Sequence, residues 1–429
     1  MLIELFGENF GCFRDEFRLS MLATDIDPES TRGIIHAHVD GDPEPLKLLR
    51  SAAIYGPNAS GKSTVLRAAA ALRSAISSSR RLRSDDSIPF YEPFAHGEAS
   101  RKPTRLGIKA VVDSRVLDYE IAFDRKSFTF EQLDRWEGEN RVTLIKREGQ
   151  SVQGQWRDDE GFKLLAKDFG PNKLLLSLAD RLMPSLAKGI APGLRHLLRS
   201  FDGAVPHWLF DRGLGVGKRV REEPKFANWL LGHLKAADIG VTDLRTEEFK
   251  VVVHVGSGSD DDAESQPEDT TKQVETGYRL SLMHAFGKES AAISFNRESL
   301  GTHRLIEVAP LLYDLTHDKR PRAAFADELD ASLHPTVFKA LIQHFNGEAS
   351  PSEARGQLVF VTHETVLLDG EAKSAPLRRD QVYVTEKSPD GSAKLYSISD
   401  FNERNNLNLR KRYLEGRYGG IPSLGHFPE

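Results

Sequence analysis

Gly56-Pro57-Asn58-Ala59-Ser60-Gly61-Lys62-Ser63, followed by Thr64, is a complete G-x-x-x-x-G-K-[ST] phosphate loop. Backbone N–H groups of such a loop point inward, and the helix that follows favours negative charge at its start. Lys62 is placed to reach the β- and γ-phosphates of a nucleotide, and the Ser63 hydroxyl to bind Mg²⁺. A second constellation ends the apolar run Ala323-Ala324-Phe325-Ala326 with Asp327-Glu328. Two adjacent carboxylates divide the labour: Asp327 holds Mg²⁺ through water, and Glu328 is the general base that polarises an attacking water. An acidic pair at a strand end is common on its own; beside a phosphate loop it completes a hydrolytic site.

Two further pieces take their meaning from spacing. Leu358 to Thr362 is an apolar run ending in His363, which follows the acidic pair by 363 − 328 = 35 residues. One helix and one strand fit that gap, which brings His363 to a neighbouring strand end, within reach of a γ-phosphate. Glu298-Ser299-Leu300-Gly301-Thr302-His303-Arg304 precedes a long helical pattern. Read alone, Ser299 or Thr302 is an ordinary N-cap. The stretch lies 327 − 299 = 28 residues before the acidic pair, and there Ser299 and Gly301 form a second anion site at a helix start.

The elements that must position these groups follow from periodicity. Ala52 to Tyr55 is a buried strand entering the loop, and Thr64 to Ile76 is a helix with apolar residues at 65, 66, 69, 72 and 76. Lys62 and Asp327 are 327 − 62 = 265 residues apart, so a large insertion splits the core. Leu2–Phe6 and Glu16–Leu19 read as a hairpin, and residues 77–102 as a linker or exposed loop. Runs at 104–112, 116–124, 127–136 and 141–147 form an antiparallel meander. Leu174 to Leu182, Leu194 to Phe201 and residues 223–237 have helical spacing. Strands are expected at 249–255, 278–286, 291–295, 357–362, 380–386 and 393–397, with helices at 301–317 and 333–346. The run from Gly256 to Lys272, with Asp260-Asp261-Asp262, reads as a solvated loop, a metal site being the sharper alternative.

The 429 residues suffice for a large core, and 39% apolar with 28% charged composition is that of a globular protein. A net charge of −5 demands neither nucleic acid nor an anionic membrane. One cysteine, Cys12, excludes a disulfide framework and fits a reducing cytoplasm. The first residues lack the pattern of a signal peptide, and no run reaches the roughly 18 to 20 apolar residues of a membrane helix.

In this order the pieces resemble the ATP-binding-cassette ATPase head, in the branch that includes RecF and the SMC proteins. More narrowly, three stretches resemble the short AAA-type ATPases of bacterial defence islands, the RloA-like and abortive-infection ATPases. They are Glu8-Asn9-Phe10-Gly11-Cys12-Phe13, Glu298-Ser299-Leu300-Gly301-Thr302, and Tyr413 to Pro422. The resemblance implies an α/β P-loop NTPase head with the meander and a helical lobe inserted, and no long coiled coil. It implies three regions: 1–185 with the phosphate loop and meander, 186–275 as a helical lobe with an acidic loop, and 276–429 with the remaining motifs. It also implies ATP and Mg²⁺ as ligands, and a homodimer or higher oligomer formed through the ATP sites. In that dimer Gly56 to Thr64, Asp327, Glu328 and His363 act in cis, Ser299 and Gly301 act in trans, and Asp330 lies across the contact. The implied output is a conformational switch for a separate effector, a nuclease or toxin, in anti-phage defence.

Other readings stay open. A RecF-like repair ATPase would bind DNA directly, and the basic tail with Arg404, Arg410, Lys411, Arg412 and Arg417 is then a DNA-facing helix rather than a solvated face or a partner surface. A transporter ATPase would carry a longer Leu-Ser-Gly-Gly-Gln signature. No glutamine falls where the family places one beside the γ-phosphate; Gln132 lies in a meander strand. Phe13 or Arg14 is the expected adenine contact. After Pro422 too little chain follows for a nuclease domain.

Overall fold

The computed structural model describes residues 1–25, 32–167, 169–183, 187, 189–201, 209–256, 270–347, 354–370, 375–401 and 408–422. The acidic run Asp260 to Asp262 and Arg404 lie outside the described residues. In chain order the strands and helices are β1 (Leu2–Glu8), β2 (Phe17–Ser20), β3 (Ile34–Ala37), β4 (Leu46–Leu49), β5 (Ser51–Tyr55), α1 (Lys62–Ser78), β6 (Thr104–Val112), β7 (Arg115–Phe123), β8 (Phe128–Glu137), β9 (Asn140–Glu148), β10 (Ser151–Gln153), α2 (Glu160–Leu165), α3 (Leu175–Leu182), α4 (Ile190–Leu197), β11 (Leu198–Phe201), α5 (Leu209–Glu222), α6 (Pro224–Ala236), β12 (Val241–Gly256), β13 (Thr270–Phe286), β14 (Glu289–Ser294), α7 (Leu300–His317), β15 (Arg322–Ala326), α8 (Pro335–Asn346), β16 (Gly356–Val361), β17 (Val382–Lys387), β18 (Ala393–Ser397) and α9 (Leu409–Leu414).

The chain divides into two compact units. The first holds Met1–Ala204, Asp314–Asp330 and Phe338–Glu429; the second holds Val205–Tyr313 and Ala331–Val337. The first unit is built on two sheets. One has the order β11-β15-β16-β5-β17-β18, parallel except for the β17–β18 pair. All five residues of β5 are buried, as expected of a central strand in a parallel sheet covered on both faces. The alanines of β15 are buried too, and their small side chains let α1 and α4 lie close to it. The other sheet is antiparallel, in the order β10-β9-β8-β7-β6-β1-β2, and contains the expected meander. α1 contributes Val65, Leu66, Ala69, Leu72 and Ile76 to the buried cluster shared with Leu106, Tyr119, Ile121 and Phe123 of that sheet. The α/β class expected from the sequence is therefore the one observed.

The second unit contains α5, α6 and a three-stranded sheet in the order β12-β13-β14. The β12–β13 pair is a long antiparallel hairpin of 16 and 17 residues. Phe226 of α6 packs edge-on against Tyr313. The stretch 186–275 thus holds three helices, an edge strand and most of a hairpin.

Two local expectations are corrected. Leu194 to Phe201 is not one helix: α4 stops at Leu197, and Leu198–Phe201 pairs in parallel with Ala323–Ala326 as the edge strand β11. Short apolar runs fit either period, and here a free sheet edge decides. Residues 77–102 are not simply a linker or exposed loop: Ser77 and Ser78 end α1, and Ile88, Phe94 and Ala99 are buried. Among the described residues, no helix is long and apolar enough to cross a membrane.

Candidate functional site

Three of the sequence motifs leave the carboxyl ends of adjacent parallel strands. The phosphate loop follows β5, Asp327-Glu328 follows β15, and His363 follows β16. The register sets them side by side: Ala326 pairs with Phe360, Phe360 with Ala53, and Val361 with Ile54. The carboxyl edge of an open parallel sheet is where such folds bind ligands.

The loop's geometry is that of an anion cradle. Gly56 has φ +144° and Gly61 φ +109°, values that favour glycine. A Cβ on Gly56 would lie 2.4 Å from the Thr385 Oγ1, so close approach to β17 also requires glycine there. Gly61 caps α1 without a side-chain hydrogen bond, and the helix has no acidic residue in its first turn. Its first N–H groups therefore carry an unneutralised positive end. Ser60 Oγ donates to Pro57 O at 2.8 Å and lies 2.5 Å from Thr385 Oγ1, bracing the loop from β17. Pro57 is half-buried, while Asn58, Ala59 and Ser63 are exposed at the rim. Thr64 is buried, with its Oγ1 3.5 Å from the Cys12 thiol.

Lys62 is buried at 7% exposure, and its Nζ donates to Gly56 O at 2.9 Å and Pro57 O at 2.8 Å. Burial pushes its pKa down, while the Asp327 and Glu328 carboxylates pull it back up. The acidic pair and the lysine thus sense each other electrostatically. Glu328 is exposed and has φ +47°, a left-handed conformation that is costly for a residue with a side chain. A strained backbone that carries a carboxylate at a strand end is the kind of outlier that marks functional sites. His363 is pushed down by burial first and by the Lys62 charge second, against the pull of Asp330, Glu328 and Asp327. Lysine, three carboxylates and imidazole therefore form one electrostatic cluster.

Tyr55, the last residue of β5, is buried and donates to Glu364 O at 3.0 Å, one residue after His363. Its hydroxyl is held far above its ordinary pKa by burial, with Asp330 adding to the shift. Neither Tyr55 nor Thr385 carried a sequence signal, since their roles depend on which strands lie next to β5.

Phe13 is fully buried, its ring 4.5 Å from that of Phe17 and beneath Gly61, where a Cβ would lie 3.0 Å away. It supports the loop from inside the core and offers no open face to a base. Arg14 is exposed and paired with Asp15 and Asp390. Gln132 donates to Asp134 within β8 at 2.8 Å. The basic side chains of α9 are engaged locally: Arg410 with Thr365 and Asp369, Lys411 with Glu415. Arg417 also pairs with Glu415.

Ser299 and Gly301 belong to the second unit, at the start of α7. Ser299 Oγ accepts from the Thr302 N–H at 3.2 Å, the ordinary N-cap bond, and both Ser299 and Leu300 are exposed. A Cβ on Gly301 would lie 3.0 Å from Ser332 O. Glu298, just ahead of the cap, pairs with His284 of β13 at 2.8 Å.

The donors available for Mg²⁺ are the Ser63 hydroxyl and the Asp327 carboxylate, hard oxygens at the loop's mouth. Among the described residues, no cluster of three or more His, Cys, Asp or Glu side chains could hold a metal ion. The ion such a site suits is one that completes its shell with phosphate and water oxygens, as Mg²⁺ does.

A family model described as "AAA domain, putative AbiEii toxin, Type IV TA system" matches residues 51–369. Comparison with curated proteins finds no match. Among solved structures, the chain is similar to the SMC head domain from Thermotoga maritima, at 13% identity over 92% of this chain and 98% of that one, with a TM-score of 0.41. It is also similar to the recombination mediator protein RecF of the RecFOR pathway, at 12% identity, with the same coverages and a TM-score of 0.35.

Proposed function

The chain belongs to this family of AAA domains, and on that premise we propose that it is an ATP-hydrolysing molecular switch. The observation that carries the reading is the convergence of Lys62, Asp327, Glu328 and His363 on three adjacent strand ends. The first turn of α1, the loop amides and Lys62 bind the phosphates. Ser63 and Asp327 would hold Mg²⁺, which when bound would supply electrostatic stabilisation of the phosphate charge. Glu328 orients a water against the γ-phosphorus and accepts its proton as the bond to the ADP oxygen breaks. His363 hydrogen-bonds the γ-phosphate.

Ser299 and Gly301 complete the site of a second copy in a head-to-tail dimer that closes on ATP and opens on hydrolysis. The exposure of Ser299 and Leu300 at a helix start supports that role. The family description names a putative toxin and a toxin–antitoxin system, which supports an output of that kind; in this reading the output passes through a separate toxin or nuclease whose activity the closing dimer regulates. Direct DNA binding in the manner of a repair ATPase is the second reading, and the local pairing of Arg410, Lys411 and Arg417 does not favour it.

Glu328→Gln tests the central claim. We expect phosphate release to fall by about 10²- to 10⁴-fold, the usual contribution of a positioned base, while ATP still binds and the variant sediments as a dimer only with ATP. Turnover at the wild-type rate would remove Glu328 from the mechanism.

A further inference from the structure

We propose that Tyr413, in the segment 408–422 after the last strand, is a positioning residue for the phosphate loop; the inference rests on the nucleotide-site reading above. Tyr413 is buried at 7% exposure. Its hydroxyl donates to Gly420 O at 3.1 Å, and Gly420 lies against the loop, where a Cβ on it would lie 3.6 Å from the Gly56 Cα. Its ring packs edge-on against Tyr55, with centroids 5.5 Å apart. Burial pushes the phenol pKa up to about 12, so the hydroxyl keeps the proton it donates.

The first glycine of the loop is therefore gripped from two sides. Thr385 of β17 presses on one face, where even a Cβ would not fit. Tyr413 bears on the glycine through Gly420, to which its hydroxyl is bonded, and through the ring of Tyr55, the residue before Gly56. The grip passes to chemistry through one peptide step, because the carbonyls of Gly56 and Pro57 are the acceptors that hold Lys62 Nζ. Rotation of the Gly56 peptide would move the ammonium that meets the phosphates.

The rest of the segment is packed to hold the phenol in place. Tyr418 is 1% exposed, and its carbonyl accepts from Tyr396 Oη at 2.7 Å. Gly419 and Gly420 both have φ +64°. A Cβ would lie 2.4 Å from Tyr396 Oη in the first case and 2.3 Å from Val384 Cγ1 in the second. The segment also reaches the His363 side of the site. Arg410 Nε donates to Thr365 Oγ1 at 3.2 Å, two residues beyond His363, and Tyr55 bonds Glu364 between them. One short segment thus touches both the loop's entry and the turn that carries the imidazole, and a movement of either is felt by the other through Tyr55 and Tyr413.

The test uses the full chain with Tyr413→Phe, which keeps the ring on Tyr55 and removes only the oxygen. Tyr383→Phe is the matched control: a buried phenol on β17 bonded to the Ser20 amide and carbonyl at 3.0 and 2.8 Å. Amide hydrogen exchange is followed over residues 55–63 without nucleotide, and binding of a fluorescent ATP analogue is titrated with Mg²⁺. We expect Tyr413→Phe to speed exchange in the loop by about tenfold and to weaken the analogue by about three- to tenfold, the size of one lost buried hydrogen bond. Tyr383→Phe should lower the melting temperature yet leave loop exchange unchanged. Exchange in Tyr413→Phe equal to the wild type, or an equal increase in Tyr383→Phe, would overturn the assignment. If the wild type fails to bind the analogue while Tyr413→Phe still loosens the loop, the tether stands and the nucleotide reading falls.

Discussion

His363 receives opposing instructions from its neighbours: burial and the Lys62 ammonium disfavour its proton, while Asp330, Glu328 and Asp327 favour it. The first pair wins, so the folded-state pKa lies below the ordinary value of about 6.5. Such a group contributes stability that is fully present above that ordinary value. The contribution is lost as pH falls, because the unfolded chain binds the proton first. The imidazole is only partly buried and open to solvent on its other side, which makes the effect small, on the order of 1 °C in melting temperature. His363→Asn removes the linkage, so the variant should gain on the wild type as pH is taken from 7.5 to 5.5. A difference in melting temperature that stays constant over that range would place the imidazole outside the cluster.

At the scale of elements, α3 shows how the meander is fastened to the helices beside α1. The fully buried Glu131 of β8 accepts from the Leu175 and Leu176 amides at 2.7 and 2.9 Å, and from Tyr119 Oη at 2.9 Å. A strand carboxylate thereby satisfies the first N–H groups of a helix that has no side-chain cap of its own. Glu131→Ala strands three buried donors, and we expect a loss of about 3 kcal/mol in urea unfolding. This bond also marks what the sequence could disclose. The phosphate loop, the acidic pair and the alternating meander strands were legible because each is a contiguous pattern with its own physical period. Glu131 was not, since its partners lie 44 and 45 residues away. The role of Thr385 was hidden for the same reason: only the placement of β17 beside β5 brings it to Gly56. Tyr413 stood in the tail stretch that carries the resemblance, but its contacts with Tyr55 and Gly420 exist only in the folded chain. β11 was misread because its four residues carry no pattern until β15 offers an edge.

For the whole molecule, the proposed dimer has a test that no single chain can pass alone. Lys62→Ala lacks a working loop and Ser299→Arg lacks a working signature, so each should be inactive by itself. Mixed in equal amounts, they form heterodimers that contain one intact composite site. Half of all dimers are mixed and one of two sites in each works, so up to about a quarter of wild-type hydrolysis should return. No recovery on mixing would mean that the two motifs act within one subunit or not at all. The sheet order β11-β15-β16-β5-β17-β18 has a different consequence, one of time. β5 ends at Tyr55, and its neighbour β16 begins at Gly356, 356 − 55 = 301 residues later. At synthesis rates of about 5–20 residues per second, Ala52-Ala53-Ile54 waits roughly 15–60 s on the ribosome with both edges bare. A strand that is buried along its whole length in the finished protein must therefore be sheltered by the growing chain for all of that time.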